Sequence, residues 1–233
     1  MPDTAVELIL ASNSPRRREL LRQAGYRFKV RPPGPIEDAC IRRAPSAAAY
    51  VESLAYLKAM SAIETHGIRK GLVLGADTAV DLRGRLIGKP RDEDEARQIL
   101  SALVATGDST GRAGSVHRVL TGLALVDAGA GRSPPWPAAA GRGRQATRLG
   151  ERWLAHDATA VHMGPMSDAD IHAYVASGEA MGKAGAYALQ ETGDRFVERI
   201  EGSFTNVVGL PMELLERMLK AAGYDPKEFR DVD

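Results

Sequence analysis

The sequence predicts an α/β protein, because short apolar runs of strand length alternate with segments that carry apolar residues at helical spacing. The chain of 233 residues is long enough to form one substantial hydrophobic core. Hydrophobic residues make up 44% of the chain and charged residues 26%, which is ordinary for a globular protein.

The first predicted strand is the apolar run VELILA, residues 6–11, and it leads directly into a helix. Ser14 suits the N-cap of this helix and Pro15 suits its first position. The helix is predicted to continue to Ala24, because Gly25 favours a stop.

Three consecutive arginines, residues 16–18, fall in the first turn of this helix, against the positive end of the helix dipole. Each costs roughly 0.3–1 kcal/mol if no anion is near it. A turn from a strand into a helix presents backbone N–H groups to phosphate, and guanidinium groups suit phosphate oxygens. Ser12 and Ser14 add hydroxyl groups to the same turn. The turn therefore predicts a phosphate site, and arginines that extend into water are the alternative.

Further helices and strands are predicted along the rest of the chain from caps and periodicity. Ser46 caps a long helix that Gly67 ends, while Asp92 and Glu95 form the start of another. The predicted helices span 46–66, 92–103, 167–177 and 211–224. The predicted strands are 72–80, a short return strand that ends at 89–90, 117–127, 157–163 and 195–200.

Two segments are predicted to be flexible insertions: residues 104–116 because of their composition, and residues 129–152 because they show neither a helical nor a strand period. The second contains five arginines, which could contact a polyanion. A solvated loop is the better interpretation of such a charge run.

The overall composition argues against several classes of protein. Lys plus Arg at 31 nearly balances Asp plus Glu at 30, so a nucleic acid polymer is not an expected partner. The single cysteine, Cys40, excludes an internal disulfide and favours a reducing compartment. No apolar run approaches the roughly 20 residues of a membrane span, so we expect no membrane association and a cytoplasmic location.

Asp77 is the first candidate for chemistry, because a carboxylate in an apolar strand is costly to bury unless it is paired or bound to a cation. A structural, hydrogen-bonded aspartate is the alternative. Lys58 follows Leu54 by one helical turn, so its ammonium is expected to be free. Gln190 ends the small-residue stretch KAGAYALQ with an amide that could read the edge of uracil or thymine.

Three histidines, His117, His156 and His162, lack the spacing of metal ligands and are interpreted as structural.

Six motifs in order resemble the Maf family of nucleoside triphosphate pyrophosphatases. They are LILASNSPRRRELL, YVESLAYLKA, VLGADTAV with IGKP, HRVLTG, YVASGE with KAGAYALQ, and GSFTNVVGLP. The resemblance covers nearly the whole chain except the two Gly-rich loops. Arg16 after the Ser-Pro pair, together with Gln190, resembles the branch that acts on dTTP and UTP, whereas the branch that acts on methylated GTP typically carries Trp there.

The resemblance implies one domain over residues 1–233, with a mixed, twisted sheet, flanking helices and two lobes around a central cleft. It implies hydrolysis of a nucleoside triphosphate between the α- and β-phosphates with a divalent cation, Mg²⁺ or Mn²⁺. It also implies a homodimer.

The resemblance assigns roles to particular residues. Asp77, Lys58 and Lys89 match the catalytic positions, with Asp77 as acid/base and the lysines on phosphate. Substrate binding is predicted for a further set: Ser12, Ser14, Arg16, Arg17, Thr78 and Gln190. The metal is predicted on Asp77 and Asp38, although the acidic pair Glu37-Asp38 is reversed relative to the family. Three positions beside the base-reading stretch also depart from the family, namely Gly182, Ala188 and Glu191.

Two other functions remain as alternatives to an enzyme. One is a nucleotide-binding regulator of cell division that does not turn its ligand over. The other is an RNA-binding protein that uses residues 129–152, which few aromatic residues and the balanced charge argue against.

Overall fold

A mixed β-sheet with flanking helices forms the fold, and the α/β class is confirmed. A computed structural model describes residues 6–36, 44–104, 115–129, 147–148, 152–189 and 192–231. None of the helices in these ranges is long and apolar enough to cross a membrane.

The strands and helices are named in chain order. The strands are β1 (Leu8–Ala11), β2 (Lys29–Val30), β3 (Leu72–Leu82), β4 (Arg85–Ile87), β5 (Ser115–Asp127), β6 (Thr147–Arg148), β7 (Arg152–Met163) and β8 (Val197–Glu201). The α-helices are α1 (Pro15–Gln23), α2 (Ala47–His66), α3 (Glu93–Val104), α4 (Asp168–Ala176), α5 (Phe204–Val208) and α6 (Met212–Ala221).

Parallel and antiparallel pairs coexist in the sheet, whose main strand order is β2-β1-β3-β5-β7-β6. β1 lies between β2 and β3 and is parallel to both. β4 adds to β3, and β6 and β8 add to β7, all three as antiparallel neighbours. The register of β1 on β3 sets Ala11 opposite Gly75, which brings the residues after β1 to the level of Ala76.

The chain divides into two units. The first contains Met1–Asp77, Thr121–Asp157 and Gly209–Asp233, and the second contains Thr78–Leu120 and Ala158–Val208. A core of small and branched side chains in the first unit joins α2 to β1, β3, β5 and β7. A larger core in the second unit is built on α3, α4 and the residues that follow α4, up to Phe196. The central cleft expected from the family resemblance stays a prediction.

The predicted caps are present at three helices. Ser14 and Ser46 each accept a hydrogen bond from the backbone three residues on, and Gly67 ends α2 in the left-handed region at φ 59°. Ser167 begins α4 with a complete capping box. These helix ends are set by contacts between residues close together in the chain, so the sequence predicts them correctly.

Several strand boundaries differ from the prediction. β6 at Thr147–Arg148 and the start of β7 at Arg152 lie inside the segment predicted to lack strand structure, so that prediction is wrong at these positions. β5 likewise begins at Ser115, inside the other predicted insertion. Pairing between β6 and β7 supplies the backbone hydrogen bonds that local composition does not reveal. Residues 105–114, 130–146 and 149–151 lie outside the described residues.

Helix α2 packs directly on the backbones of two neighbouring strands. A Cβ on Gly75 in β3 would overlap the carbonyl oxygen of Ala55 and lie 3.0 Å from the amide nitrogen of Ala59. A Cβ on Gly122 in β5 would overlap the backbone of Val51. These contacts involve backbone rather than flexible side chains, so both positions require glycine for the helix to approach this closely.

We predict that Gly122→Ala destabilises the protein by about 1–3 kcal/mol, because the added methyl must push the α2 backbone away from β5. Urea unfolding measures the change. Gly88→Ala is the matched control, since a Cβ at Gly88 would meet no atom within 4 Å, and we expect a change of at most about 0.5 kcal/mol. Equal unfolding midpoints for the two variants would contradict the packing.

Candidate active site

The turn after β1 lies beside the middle of β3. Ser12 is buried, and its hydroxyl oxygen accepts hydrogen bonds from the Ser14 amide at 3.1 Å and from Arg17 Nη1 at 3.3 Å. The Ser14 hydroxyl oxygen accepts from the Arg17 amide at 3.5 Å and caps α1. Both serine oxygens therefore act as acceptors within the turn, and a contact with phosphate would use their hydroxyl protons.

Arg17, the middle arginine of the three, is a buried connection between three segments of the first unit. Its side chain is directed into the protein, and the residue is only 8% exposed. Nε donates to the Gly209 carbonyl oxygen at 2.8 Å, and Nη1 donates to the Ala76 carbonyl oxygen at 2.9 Å. Arg17 thus ties the first turn of α1 both to the residue before Asp77 and to the loop that precedes α6.

The charge of Arg17 is compensated in part by Asp77. Burial lowers the pKa of the Arg17 guanidinium, while the negative charge of Asp77 raises it in opposition. Two carbonyl oxygens and the Asp77 carboxylate therefore offset the positive charge of one of the three arginines at the N-terminus of α1. Arg16 and Arg18 are half-buried, so an anion at this turn would meet them rather than a fully enclosed Arg17.

Lys58 and Asp77 form an ion pair between α2 and β3. The Lys58 Nζ lies 2.5 Å from the Asp77 Oδ1, and the two side chains are 24% and 15% exposed. The expectation that the Lys58 ammonium is free is wrong, because the close packing of Ala55 and Ala59 on Gly75 brings this side of α2 to Asp77. The pair is partly exposed, so a ligand can reach it.

Two cations act on Asp77. The carboxylate faces the Lys58 ammonium directly and the Arg17 guanidinium through space. A carboxylate held beside a lysine can accept a proton from water, and fixed cations can stabilise charge that builds on phosphate oxygens.

The other predicted site residues are placed as follows. Thr78 follows Asp77 on β3 and is half-buried, with its side chain on the opposite face. Lys89 is exposed, two residues after β4 in the second unit. Asp38 and Gln190 lie outside the described residues. Convergence of Lys89, Asp38 and Gln190 with Asp77 stays a prediction.

The described residues contain no group of three or more His, Cys, Asp or Glu side chains that could hold a metal ion. The carboxylate of Asp77 is of the oxygen type that Mg²⁺ prefers, and its role as a metal ligand stays a prediction.

Two histidine contacts, one part-buried and one buried, were not anticipated as pairs. His156 Nδ1 lies 2.7 Å from Glu52 Oε1 in the first unit, and His117 Nε2 lies 2.7 Å from Tyr187 Oη in the second. The partners are 104 and 70 residues apart in sequence, so no local spacing signals them. The interpretation of these histidines as structural stays a prediction.

Comparison with known proteins gives the family. A family model described as Maf-like protein matches residues 7–222. The chain belongs to the Maf family. A relative from Anaeromyxobacter sp. (strain Fw109-5), named dTTP/UTP pyrophosphatase, is 43% identical to this Maf chain over 220 residues, which are 94% of the chain and 91% of the relative. A relative of the same name from Pelotomaculum thermopropionicum is 39% identical over 94% of the chain and 98% of its own length.

Solved structures resemble this Maf chain more distantly. One is a nucleoside-triphosphatase from Mycobacterium abscessus, also named dITP/XTP pyrophosphatase. The match covers 68% of this chain and 74% of the Mycobacterium chain, with 15% sequence identity and a TM-score of 0.38.

We predict that Arg17→Met destabilises the protein by about 2–4 kcal/mol, because two buried carbonyl oxygens and Ser12 lose a charged donor. Arg18→Met is the matched control at the next position, where we expect a change of at most about 0.5 kcal/mol. Urea unfolding distinguishes the two variants. An Arg17→Met protein as stable as the wild type would show that the guanidinium is not a structural connection.

Proposed function

We propose that this member of the Maf family hydrolyses dTTP and UTP between the α- and β-phosphates and releases the monophosphate and pyrophosphate. The Lys58–Asp77 pair beside the turn after β1 carries the proposal. It combines a carboxylate that can accept a proton with cations that can face phosphate, in a family whose relatives at 39–43% identity are named dTTP/UTP pyrophosphatase.

The phosphates are proposed to bind at the turn after β1. The hydroxyl groups of Ser12 and Ser14, the first-turn amides of α1 and the side chain of Arg16 supply donors there. Arg17 adds its charge and holds the turn to Ala76, so that the donors stay at a fixed distance from Asp77. A role for Arg17 in direct phosphate contact stays a prediction.

Hydrolysis adds water across the α–β phosphoanhydride. The water oxygen forms a bond to phosphorus, the bridging P–O bond breaks, and pyrophosphate leaves with the bridging electrons. The Asp77 carboxylate, whose Oδ1 is held by Lys58, orients the water and accepts its proton. Lys58 and Lys89 are proposed to neutralise charge on the bridging and leaving oxygens.

A divalent cation, Mg²⁺ or Mn²⁺, is the proposed cofactor, with Asp77 and Asp38 as its protein ligands. When bound, it would neutralise phosphate charge and make water a stronger nucleophile. Asp38 carries one methylene less than the glutamate expected from the family, so its reach is shorter while its charge is the same.

Base choice is proposed to depend on Arg16, Thr78 and Gln190. An amide both donates and accepts, which matches the N3–H and O4 of uracil and thymine. A regulator that only binds nucleotide would need no proton acceptor, so the paired Lys58 and Asp77 favour an enzyme over that alternative. A homodimer is proposed on the family resemblance, and a cytoplasmic location is proposed on the single cysteine, Cys40, which favours a reducing compartment.

We predict that Asp77→Asn lowers kcat for UTP at least about 100-fold, because the amide cannot accept the water proton, while nucleotide binding survives. Pyrophosphate release and titration calorimetry measure the two quantities. Asp81→Asn is the matched control on the same strand. Asp81 Oδ1 accepts from the Gly84 amide at 2.7 Å, an interaction that asparagine retains, so wild-type turnover is expected. Near-normal pyrophosphate release from Asp77→Asn would refute the assignment.

A panel of canonical and modified triphosphates, each with Mg²⁺ or Mn²⁺, tests the substrate class. We predict that dTTP and UTP give the highest kcat/KM for pyrophosphate release. A clear purine preference would contradict the role of Gln190 and leave the fold unaffected. A chain that binds UTP without releasing pyrophosphate would favour the regulator.

A further inference from the structure

Helix α2 carries polar side chains on the face that it buries against the sheet. Glu52 is 8% exposed, and Tyr56, one helical turn further along, is 5% exposed. Lys58, which pairs with Asp77, lies on the same helix. A buried carboxylate is costly unless it has a partner, so the contacts of Glu52 show what holds this part of the helix.

Two residues of β7 supply the partners. His156 Nδ1 lies 2.7 Å from Glu52 Oε1, and the two side chains are 12% and 10% exposed. Arg152 Nη1 donates to Tyr56 Oη at 2.8 Å, and the guanidinium carbon lies 4.7 Å from the centroid of the Tyr56 ring. Arg152 and His156 are four residues apart in one strand, so they lie on the same face of it. We call the Glu52–His156 and Tyr56–Arg152 contacts the α2–β7 polar contacts.

The packing of α2 on glycine sets its distance from the sheet but not its position along its own axis. Gly75 meets the small residues Ala55 and Ala59, and a Cβ at Gly122 would lie 2.5 Å from the Glu52 amide nitrogen. Glycine and alanine form shallow surfaces without the ridges that normally fit into grooves. Apolar contact is non-directional, whereas a hydrogen bond requires a defined distance and angle. The α2–β7 polar contacts are therefore directional enough to fix the helix along its axis.

The Lys58–Asp77 pair is sensitive to that position. Lys58 follows Tyr56 by two residues and Glu52 by six on one continuous helix, so a movement of the helix moves its side chain. Nζ lies 2.5 Å from the Asp77 Oδ1, and the Lys58 side chain is only 24% exposed, which limits how far it can adjust. A slip of one residue would move the helix by about 1.5 Å and turn it by about 100°. Glu52, Lys58, Asp77 and His156 all belong to the first unit.

Stability alone does not explain a charged side chain at this position. Replacing a buried ion pair with apolar side chains of similar volume is often neutral or stabilising. Apolar side chains at positions 52 and 156 would keep the core packed, but they would tolerate several positions of the helix. A buried polar contact is satisfied in one arrangement, which makes it suited to orientation.

We propose that Glu52 and His156 are positioning residues for catalysis: their contact fixes α2 on the sheet so that the Lys58 ammonium meets Asp77. The second of the α2–β7 polar contacts supports the same position one helical turn away. This inference rests on the proposed function, in which Lys58 neutralises charge on phosphate oxygens and Asp77 accepts the water proton. Loss of the contact displaces Lys58 and so lowers kcat more than nucleotide binding.

The experiment compares four variants of the full chain. His156→Leu removes the partner of Glu52, and the double variant Glu52→Leu/His156→Leu replaces the pair with apolar side chains. His156→Asn and Glu52→Gln are conservative, because the asparagine amide lies near the position of Nδ1 and the glutamine keeps an oxygen that can accept from Nδ1. Urea unfolding measures stability, and pyrophosphate release measures kcat and KM for UTP with Mg²⁺.

The reactivity of Lys58 provides a readout that needs no turnover. Acetic anhydride modifies the neutral amine, and a carboxylate beside a lysine favours the charged ammonium. The rate of acetylation at Lys58, measured by mass spectrometry on the chain without nucleotide, therefore reports whether Lys58 still meets Asp77. Glu216→Leu is the matched control, since Glu216 on α6 pairs with Arg230 in the same unit.

We expect His156→Leu to lower kcat for UTP about tenfold or more, to change KM less than about threefold and to raise the Lys58 acetylation rate at least about threefold. The double leucine variant should unfold at a higher urea concentration than His156→Leu and yet keep the low kcat, because apolar packing returns without the directional contact. His156→Asn and Glu52→Gln should keep kcat within about threefold of the wild type, and Glu216→Leu should leave it unchanged. If His156→Leu does not fold, the double leucine variant and Glu52→Gln decide.

A Lys58→Met background separates positioning from general damage to the fold. His156→Leu should lower kcat less than about twofold in that background, because the residue through which it acts is already absent. The loss of stability caused by His156→Leu should persist there, since it arises from the unpaired Glu52 carboxylate.

Three results would overturn the inference: wild-type kcat in the double leucine variant, an unchanged Lys58 acetylation rate in His156→Leu, or a loss of kcat in the Lys58→Met background as large as in the wild type. A wild-type chain that releases no pyrophosphate from UTP would refute the proposed hydrolysis. In that case the acetylation rates still decide whether Glu52 and His156 hold Lys58 beside Asp77.

Discussion

The close approach of α2 to the sheet is the constraint on which the candidate active site depends. Gly75 and Gly122, on two neighbouring strands, leave room for the helix backbone itself. Ala55 and Ala59 are the helix residues that meet Gly75, and Lys58 lies between them. The same close packing places Lys58 beside Asp77, with 2.5 Å between the Lys58 Nζ and the Asp77 Oδ1.

A second constraint is the burial of one arginine in the turn for which the sequence predicts a phosphate site. Arg17 donates to carbonyl oxygens of Gly209 and Ala76, so part of the positive charge at the start of α1 is satisfied inside the protein. The arginines on either side of it are half-buried. One guanidinium therefore holds the backbone in place, while its two neighbours keep part of their surface exposed to solvent. The position of Asp77 relative to the turn follows from the contacts of that guanidinium.

Positioning through buried polar contacts recurs in the second unit. His117 on β5 is joined to Tyr187, 70 residues further along the chain, and Gly193 packs closely against Ala188. In each unit a polar side chain, rather than apolar packing alone, fixes the backbone of a distant segment. Such bonds contribute less to the free energy of folding than to orientation, because burial already costs the polar groups their contacts with water.

The sequence by itself determined the α/β class, the capped ends of α1 and α2 and the candidate residues Asp77 and Lys58, because caps, periodicity and a charge in an apolar strand are local signals. Only the tertiary structure decided that Lys58 is paired, that Arg17 is buried and that His117 meets Tyr187. Those facts depend on contacts between residues distant along the chain. No spacing in the sequence encodes them, since the sheet register and helix packing that create them form only when the chain folds.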